Sequence, residues 1–430
     1  HPEIVDAFHN FIDQPGIPLL TTTLQCADTS VNAMVTQSTY ANVGITPVAR
    51  QWKVPMCLTA DGNRTCQLVT PPSTQIPLGA KCPATLFPNA EGTGYYRFTT
   101  DEKGWMAAIS QLPRLDPADQ YTLYHNVDAA MRGGTASATD YFLTVKALAP
   151  IARWDVLESD RRSVFNMIDS LREMRVTGVI APSDLPKLQT FVRANFGPRL
   201  VPLGLAAKPS ETPANALLRE YLVQLLVEEG HDQALMAQLS KAAQAYLSSN
   251  GKDYGGIAPD LMQEAMRAGV MSQGPAFAAQ VFAAMQKSDD EYFTQSAIYA
   301  LAGSEDSAML NKLAGLILSP SLRIGDVRYV SRYMQAETAA RPVMWAWFKA
   351  NYDAMVKRVS TGGLGGAPDM LQFACDTATE DDLMAFFGPR TSKLEGTTRT
   401  LKEASDKINR CIAFKQAKGQ EISAAIGALK

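Results

Sequence analysis

Hydrophobic and polar positions alternate in short runs through the first hundred residues, and the period then lengthens to three and four. Leu19–Thr23, Val31–Ser38, Trp52–Thr59, Thr65–Thr70 and Tyr95–Thr99 are rich in β-branched and aromatic side chains. Such runs fit strands that bury one face. Turn signals separate them, among them Asp61-Gly62 and Pro71-Pro72. Asp61-Gly62 fits a type I′ turn, which needs φ > 0 at both central residues. Short strands at this spacing predict a small antiparallel β-sandwich, placed at residues 1–104 with an N-terminal linker segment.

After Trp105 the spacing is helical. Leu218, Leu222 and Leu225 share one face, as do Leu235, Leu239, Ala242 and Tyr246. Phe277, Val281 and Met285 follow, then Leu310, Leu313 and Ile317, then Met344, Phe348, Tyr352 and Met355. These are amphipathic helix signatures. Gly230, Gly251 and Gly269 sit where C-terminal caps belong, and Pro259 and Pro275 near helix starts. Helix pairs begin near Ala214, Pro259, Asp289, Gly325 and Ala367, a recurrence of about 30–45 residues, as in HEAT- and armadillo-like stacks. Residues 105–430 are therefore expected to form a large all-α superhelix of such pairs. A plain helical bundle would show the same periodicity.

Composition narrows the function. The chain has 430 residues, 46% apolar and 19% charged, with a net charge of −3. The basic excess of a phosphate-binding surface is absent, so no nucleic-acid partner is expected. No run approaches the ~18 apolar residues of a membrane span. The chain opens on His1-Pro2-Glu3-Ile4 with no basic-then-apolar leader, and the natural protein is expected to continue upstream of His1.

Six cysteines are present, Cys26, Cys57, Cys66, Cys82, Cys375 and Cys411, and none forms a C-x-x-C pair. A two-residue turn at Asp61-Gly62 sets Cys57 opposite Cys66, at a non-hydrogen-bonded site where Cα atoms are ~4.5 Å apart. That is near the short end of disulfide geometry. The alternative is two reduced thiols facing each other across the hairpin. Cys26–Cys82 and Cys375–Cys411 are the further candidate pairs. Bonded cysteines imply a periplasmic or extracellular location, reduced ones a cytoplasmic location.

Catalytic motifs are missing. The four histidines, His1, His9, His125 and His231, include no H-E-x-x-H pair. Glu228-Glu229-Gly230-His231-Asp232 reads as a solvated turn between helices. There is no G-x-S-x-G elbow, and Gly362-Gly363-Leu364-Gly365-Gly366 lacks the Lys-Ser or Lys-Thr of a P-loop. It reads as a flexible helix–helix connection. Asp289-Asp290 and Asp381-Asp382 suit helix N-termini. No catalytic or metal-binding residue is assigned, and this chain alone is not expected to be an enzyme.

An ordered series of segments resembles the C-terminal half of aminopeptidase N-type zinc peptidases. Phe11-Ile12-Asp13-Gln14-Pro15-Gly16-Ile17-Pro18 is similar to the stretch that enters their β-domain, Trp52-Lys53-Val54-Pro55 to its "W.vP" strand, and Gly94-Tyr95-Tyr96-Arg97-Phe98 to its closing strand. Tyr124 through Gly134 resembles the helix that opens their ERAP-like C-terminal domain. Ser296–Ala302, Met344–Asp353 and Gly396–Asn409 follow in the family's order. The resemblance implies a non-catalytic region that encloses the active-site chamber, controls peptide access and contacts the distal end of the substrate. Zinc is then expected in an upstream catalytic domain, the partner of this region in the same polypeptide, with peptides as substrates. Arg399, in the first turn of the last helix, matches the family's arginine in "g..R.l". It is the candidate substrate-binding residue, its guanidinium suited to a peptide carboxylate. An ordinary solvated or ion-paired arginine is the alternative. A free-standing helical-repeat interaction scaffold is the rival function.

Overall fold

The computed structural model describes residues 2–28, 30–157 and 166–429; His1 lies outside them. The residues fall into two compact units. One is built from the chain up to Val156, to which Gln416–Ala428 returns, and the other from Ile168–Lys415.

The first unit opens with a helix, Pro2–Ile12. Ala7 is its buried contact, and Asn10 accepts from the Lys53 backbone N–H at 3.0 Å. Val5, Phe8 and Ile12, spaced for one face, are left exposed. Seven strands follow among the described residues: β1 (Pro18–Cys26), β2 (Val31–Thr39), β3 (Val54–Ala60), β4 (Asn63–Val69), β5 (Ser73–Gly79), β6 (Leu86–Phe87) and β7 (Arg97–Thr99). They form sheets of order β5-β2-β1-β7 and β4-β3-β6. Alternation sets the buried faces: Leu20 and Thr22 on β1, Val31, Ala33 and Val35 on β2, Val54, Met56 and Leu58 on β3. The sheet region is antiparallel-rich with one departure from the expected pattern, because β7 runs parallel to β1. Hydrophobic alternation marks a strand but not its direction. β5 was not legible as a strand; it carries Pro77, which an edge strand tolerates.

The β3–β4 hairpin turns at Asp61 (φ 45°) and Gly62 (φ 84°), and Cys57 pairs with Cys66 in its register. Helix Pro117–Arg132 carries the segment Tyr124–Gly134 as far as its cap at Gly133. Asn126 accepts from the Phe98 backbone N–H at 2.9 Å, and the Ala129 carbonyl accepts from the Tyr40 hydroxyl at 2.9 Å. That segment therefore fastens the helix to the sheet.

The second unit stacks helix pairs in two layers. Pro213–Glu228, Met262–Gln273, Glu291–Ala302 and Val327–Gln335 pack successively in one layer. Gln233–Ser248, Pro275–Met285, Ser307–Gly315 and Ala340–Ala350 pack in the other. This is the HEAT/armadillo-like arrangement the spacing predicts, and Leu218, Leu222, Leu239, Phe277, Val281, Leu310 and Leu313 are its core. Three details differ from the sequence reading. The face running from Met344 to Met355 belongs to two helices, since the chain breaks at Asn351 before Tyr352–Gly363. Gly269 is no cap: it lies inside Met262–Gln273, where a Cβ would meet the Phe277 ring at 2.3 Å. Asp381 and Asp382 lie within helix Thr377–Phe387, whose N-cap is Asp376. Asp382 instead accepts from Trp345 Nε1 and Lys349 Nζ, both at 2.6 Å. Among the described residues no helix is long and apolar enough to cross a membrane.

Candidate functional site

The second unit holds a cavity of about 780 Å³, lined in part by Arg175, Glu228, His231, Arg267 and Glu337. Glu228 ends helix Pro213–Glu228, and the turn to Gln233–Ser248 runs through Glu229, Gly230, His231 and Asp232. The turn is not solvated as its charge suggests, because Glu228 and Glu229 are 2% and 1% exposed. Arg175 meets Glu229 in a fork, Nε and a terminal nitrogen each donating at 2.8 Å. Burial works against the Arg175 charge; Glu229, with Glu337 and Glu228 behind it, more than restores it, and the guanidinium is held above its usual range.

Arg267 donates to Glu337 at 2.5 Å and lies 3.8 Å from Glu228. Its guanidinium carbon stands 5.1 Å from the centre of the Tyr299 ring. The Tyr299 hydroxyl reaches Glu228 and also Glu264, the latter at 3.0 Å. Two cations of the cavity wall are thus held by internal carboxylates. His231 takes φ 45° at the turn. Burial, then Arg175, lower its pKa below the usual imidazole value, so it is neutral at neutral pH.

The residues singled out from sequence are dispersed. Cys26–Cys82, Cys57–Cys66 and Cys375–Cys411 are disulfides, with Cα separations of 5.6, 4.1 and 5.3 Å. Arg399 lies early in helix Thr397–Ala428, with its side chain 84% exposed and paired to Glu403 at 2.7 Å. The hydrogen bond from Arg399 to Glu403 raises the arginine's pKa and lowers the glutamate's. No group of three His, Cys, Asp or Glu able to hold a metal occurs among the described residues. Sequence reasoning missed Glu264, Arg267 and Tyr299. Their signal was charge inside an apolar run, Glu264-Ala265-Met266-Arg267-Ala268, since buried charges must be paired.

Stacked helix pairs walling a cavity, with a small sheet-bearing unit earlier in the chain, define a helical-repeat framework. Residues 85–410 match the family model described as the ERAP1-like C-terminal domain; this is more than half of the chain, and the chain belongs to that family. Aminopeptidase M1-A of Oryza sativa subsp. japonica is 23% identical over 334 residues, covering 74% of this chain. The chain spans 36% of that relative's length.

Proposed function

We propose that this is the non-catalytic C-terminal region of a zinc aminopeptidase, enclosing the active-site chamber, governing peptide access and holding the distal end of the substrate. The observation that carries the reading is the family match across the helix-pair stack. Zinc belongs, on this reading, to a catalytic domain upstream in the same polypeptide. The bare strip of Val5, Phe8 and Ile12 supports that arrangement, since a preceding domain would cover it. The three disulfides support maturation in the periplasm or outside the cell.

Arg399 is assigned to the peptide's C-terminal carboxylate. It is exposed, and its ion pair lies within its own helix turn, so a ligand carboxylate can displace or share its partner. The test uses the natural full-length polypeptide with Arg399→Ala. The KM for peptides with a free C-terminus should rise roughly fivefold, with little change for small aminoacyl-anilides. Equal effects on both substrate types, or none, would remove Arg399 from the site. An upstream reading frame lacking H-E-x-x-H would sink the whole reading in favour of an interaction scaffold.

A further inference from the structure

A smaller cavity of about 210 Å³ lies in the helical unit, walled by Tyr246, Tyr254, Tyr292 and Phe293 and edged by Asp260 and Asp290. The rings enclose it from three elements. Tyr246 comes from helix Gln233–Ser248, Tyr292 and Phe293 from the first turn of Glu291–Ala302, and Tyr254 from the loop between helices. The centre of the Tyr246 ring stands 5.2 Å from that of Tyr254 and 5.7 Å from that of Phe293. The loop is shaped to deliver Tyr254. Gly255 (φ +62°) passes so close to the facing helix that a Cβ would meet the Ala242 Cα at 2.5 Å. Tyr292 is 60% exposed, so its ring is open to a ligand from solvent.

Two carboxylates, Asp260 and Asp290, line the ring cavity. Burial and then Glu220, Asp260 and Glu264 raise the pKa of Tyr292, and burial, Tyr254 and Asp290 raise that of Tyr246. Two neighbouring cations have carboxylate partners of their own: buried Arg219 is bound to Glu211 at 2.6 Å and reaches Asp260 only at 4.0 Å, and Arg323 pairs with Glu291 at 3.4 Å and donates to the Asp289 carbonyl at 2.8 Å. An aromatic wall offers its negative faces to a cation, and carboxylates at the rim add to the attraction. The volume is below that of pockets for whole drug-sized ligands and matches the end of one side chain.

The geometry points to a binding site for the ammonium or guanidinium head of a basic side chain, seated among Tyr246, Tyr254, Tyr292 and Phe293 and steered by Asp260 and Asp290. The further assignment of that side chain to a peptide rests on the proposed function above. On that reading the helical unit favours peptides that carry lysine or arginine.

Titrating the 430-residue chain with N-acetyl-lysine methylamide and with its uncharged norleucine counterpart, followed by saturation-transfer NMR, tests the site. The lysine probe should saturate and the norleucine probe should not. Tyr292→Ala and Asp260→Asn should each weaken the lysine probe about three- to fivefold; Tyr292 is exposed enough that its loss leaves the fold intact. Equal binding of the two probes, or lysine binding unchanged by both variants, overturns the site. A lysine-bearing peptide should displace the probe, and a peptide that fails to do so overturns the peptide assignment. None of these readouts needs peptidase activity, so a failed cage and a failed aminopeptidase reading are told apart.

Discussion

Asp119 and His125 occupy the same helix, Pro117–Arg132, and both are buried. Burial, then Asp116, lift Asp119 from 3.8 to about 6, while burial lowers His125 from 6.5 to about 4 against the pull of Asp128. The two act on stability with opposite signs. Folded Asp119 binds its proton more tightly than the unfolded chain does, so its contribution is complete below about pH 4 and is lost as pH rises through 6. Folded His125 resists protonation, so its contribution is present above pH 6.5 and is lost as pH falls through about 4. Asp119→Asn retains an acceptor for the Glu91 N–H and should raise Tm at pH 7 by about 2–4 °C, the gain vanishing near pH 4. His125→Gln should flatten the loss of Tm between pH 6.5 and 4. Curves parallel to that of the parent chain in both variants would refute the assignments. The same scale shows why the larger cavity was hidden in the sequence. Glu228 and Glu229 look like surface charge until Tyr299 and Arg175, 71 and 54 positions away, are brought to them.

At the scale of elements, legibility followed periodicity. The hairpin register was readable because a two-residue turn fixes every pair beyond it, down to Cys57 opposite Cys66. Helix starts at Pro259 and Pro275 were readable because proline suits the first helical positions. β5 was not, because Pro77 interrupts its pattern and among its residues only Ile76 is buried. The break at Asn351 was not, because Met344 and Phe348 continue in register into Tyr352. The disulfides close loops of different size, with separations of 9 residues for Cys57–Cys66 and 56 for Cys26–Cys82. Loop-closure entropy then ranks them, at about 3 kcal/mol for the short loop and about 4 kcal/mol for the long one. Urea unfolding of the two paired Cys→Ser variants should show the larger drop in midpoint for Cys26/Cys82. Six free thiols in the unfolded, unreduced protein would remove the basis for the comparison.

For the whole molecule, the family and the order of its parts were written in dispersed segments, whereas the cavities of the helical stack are walled by groups that only folding assembles. Tyr246 was legible as part of an apolar stripe; that it ends beside Tyr254 and Phe293 was not, because the loop through Gly255 decides it. The helix Pro2–Ile12 carries a further consequence. Val5, Phe8 and Ile12 stand 55%, 65% and 62% exposed, and Tyr95, edge-on to Phe11, extends the greasy surface. Left bare in solution, such a strip gives two molecules something to share. The weight-average sedimentation coefficient of this chain should therefore climb with concentration, and Phe8→Lys should hold it level. A coefficient independent of concentration in the parent chain would show the strip to be too small to drive self-association.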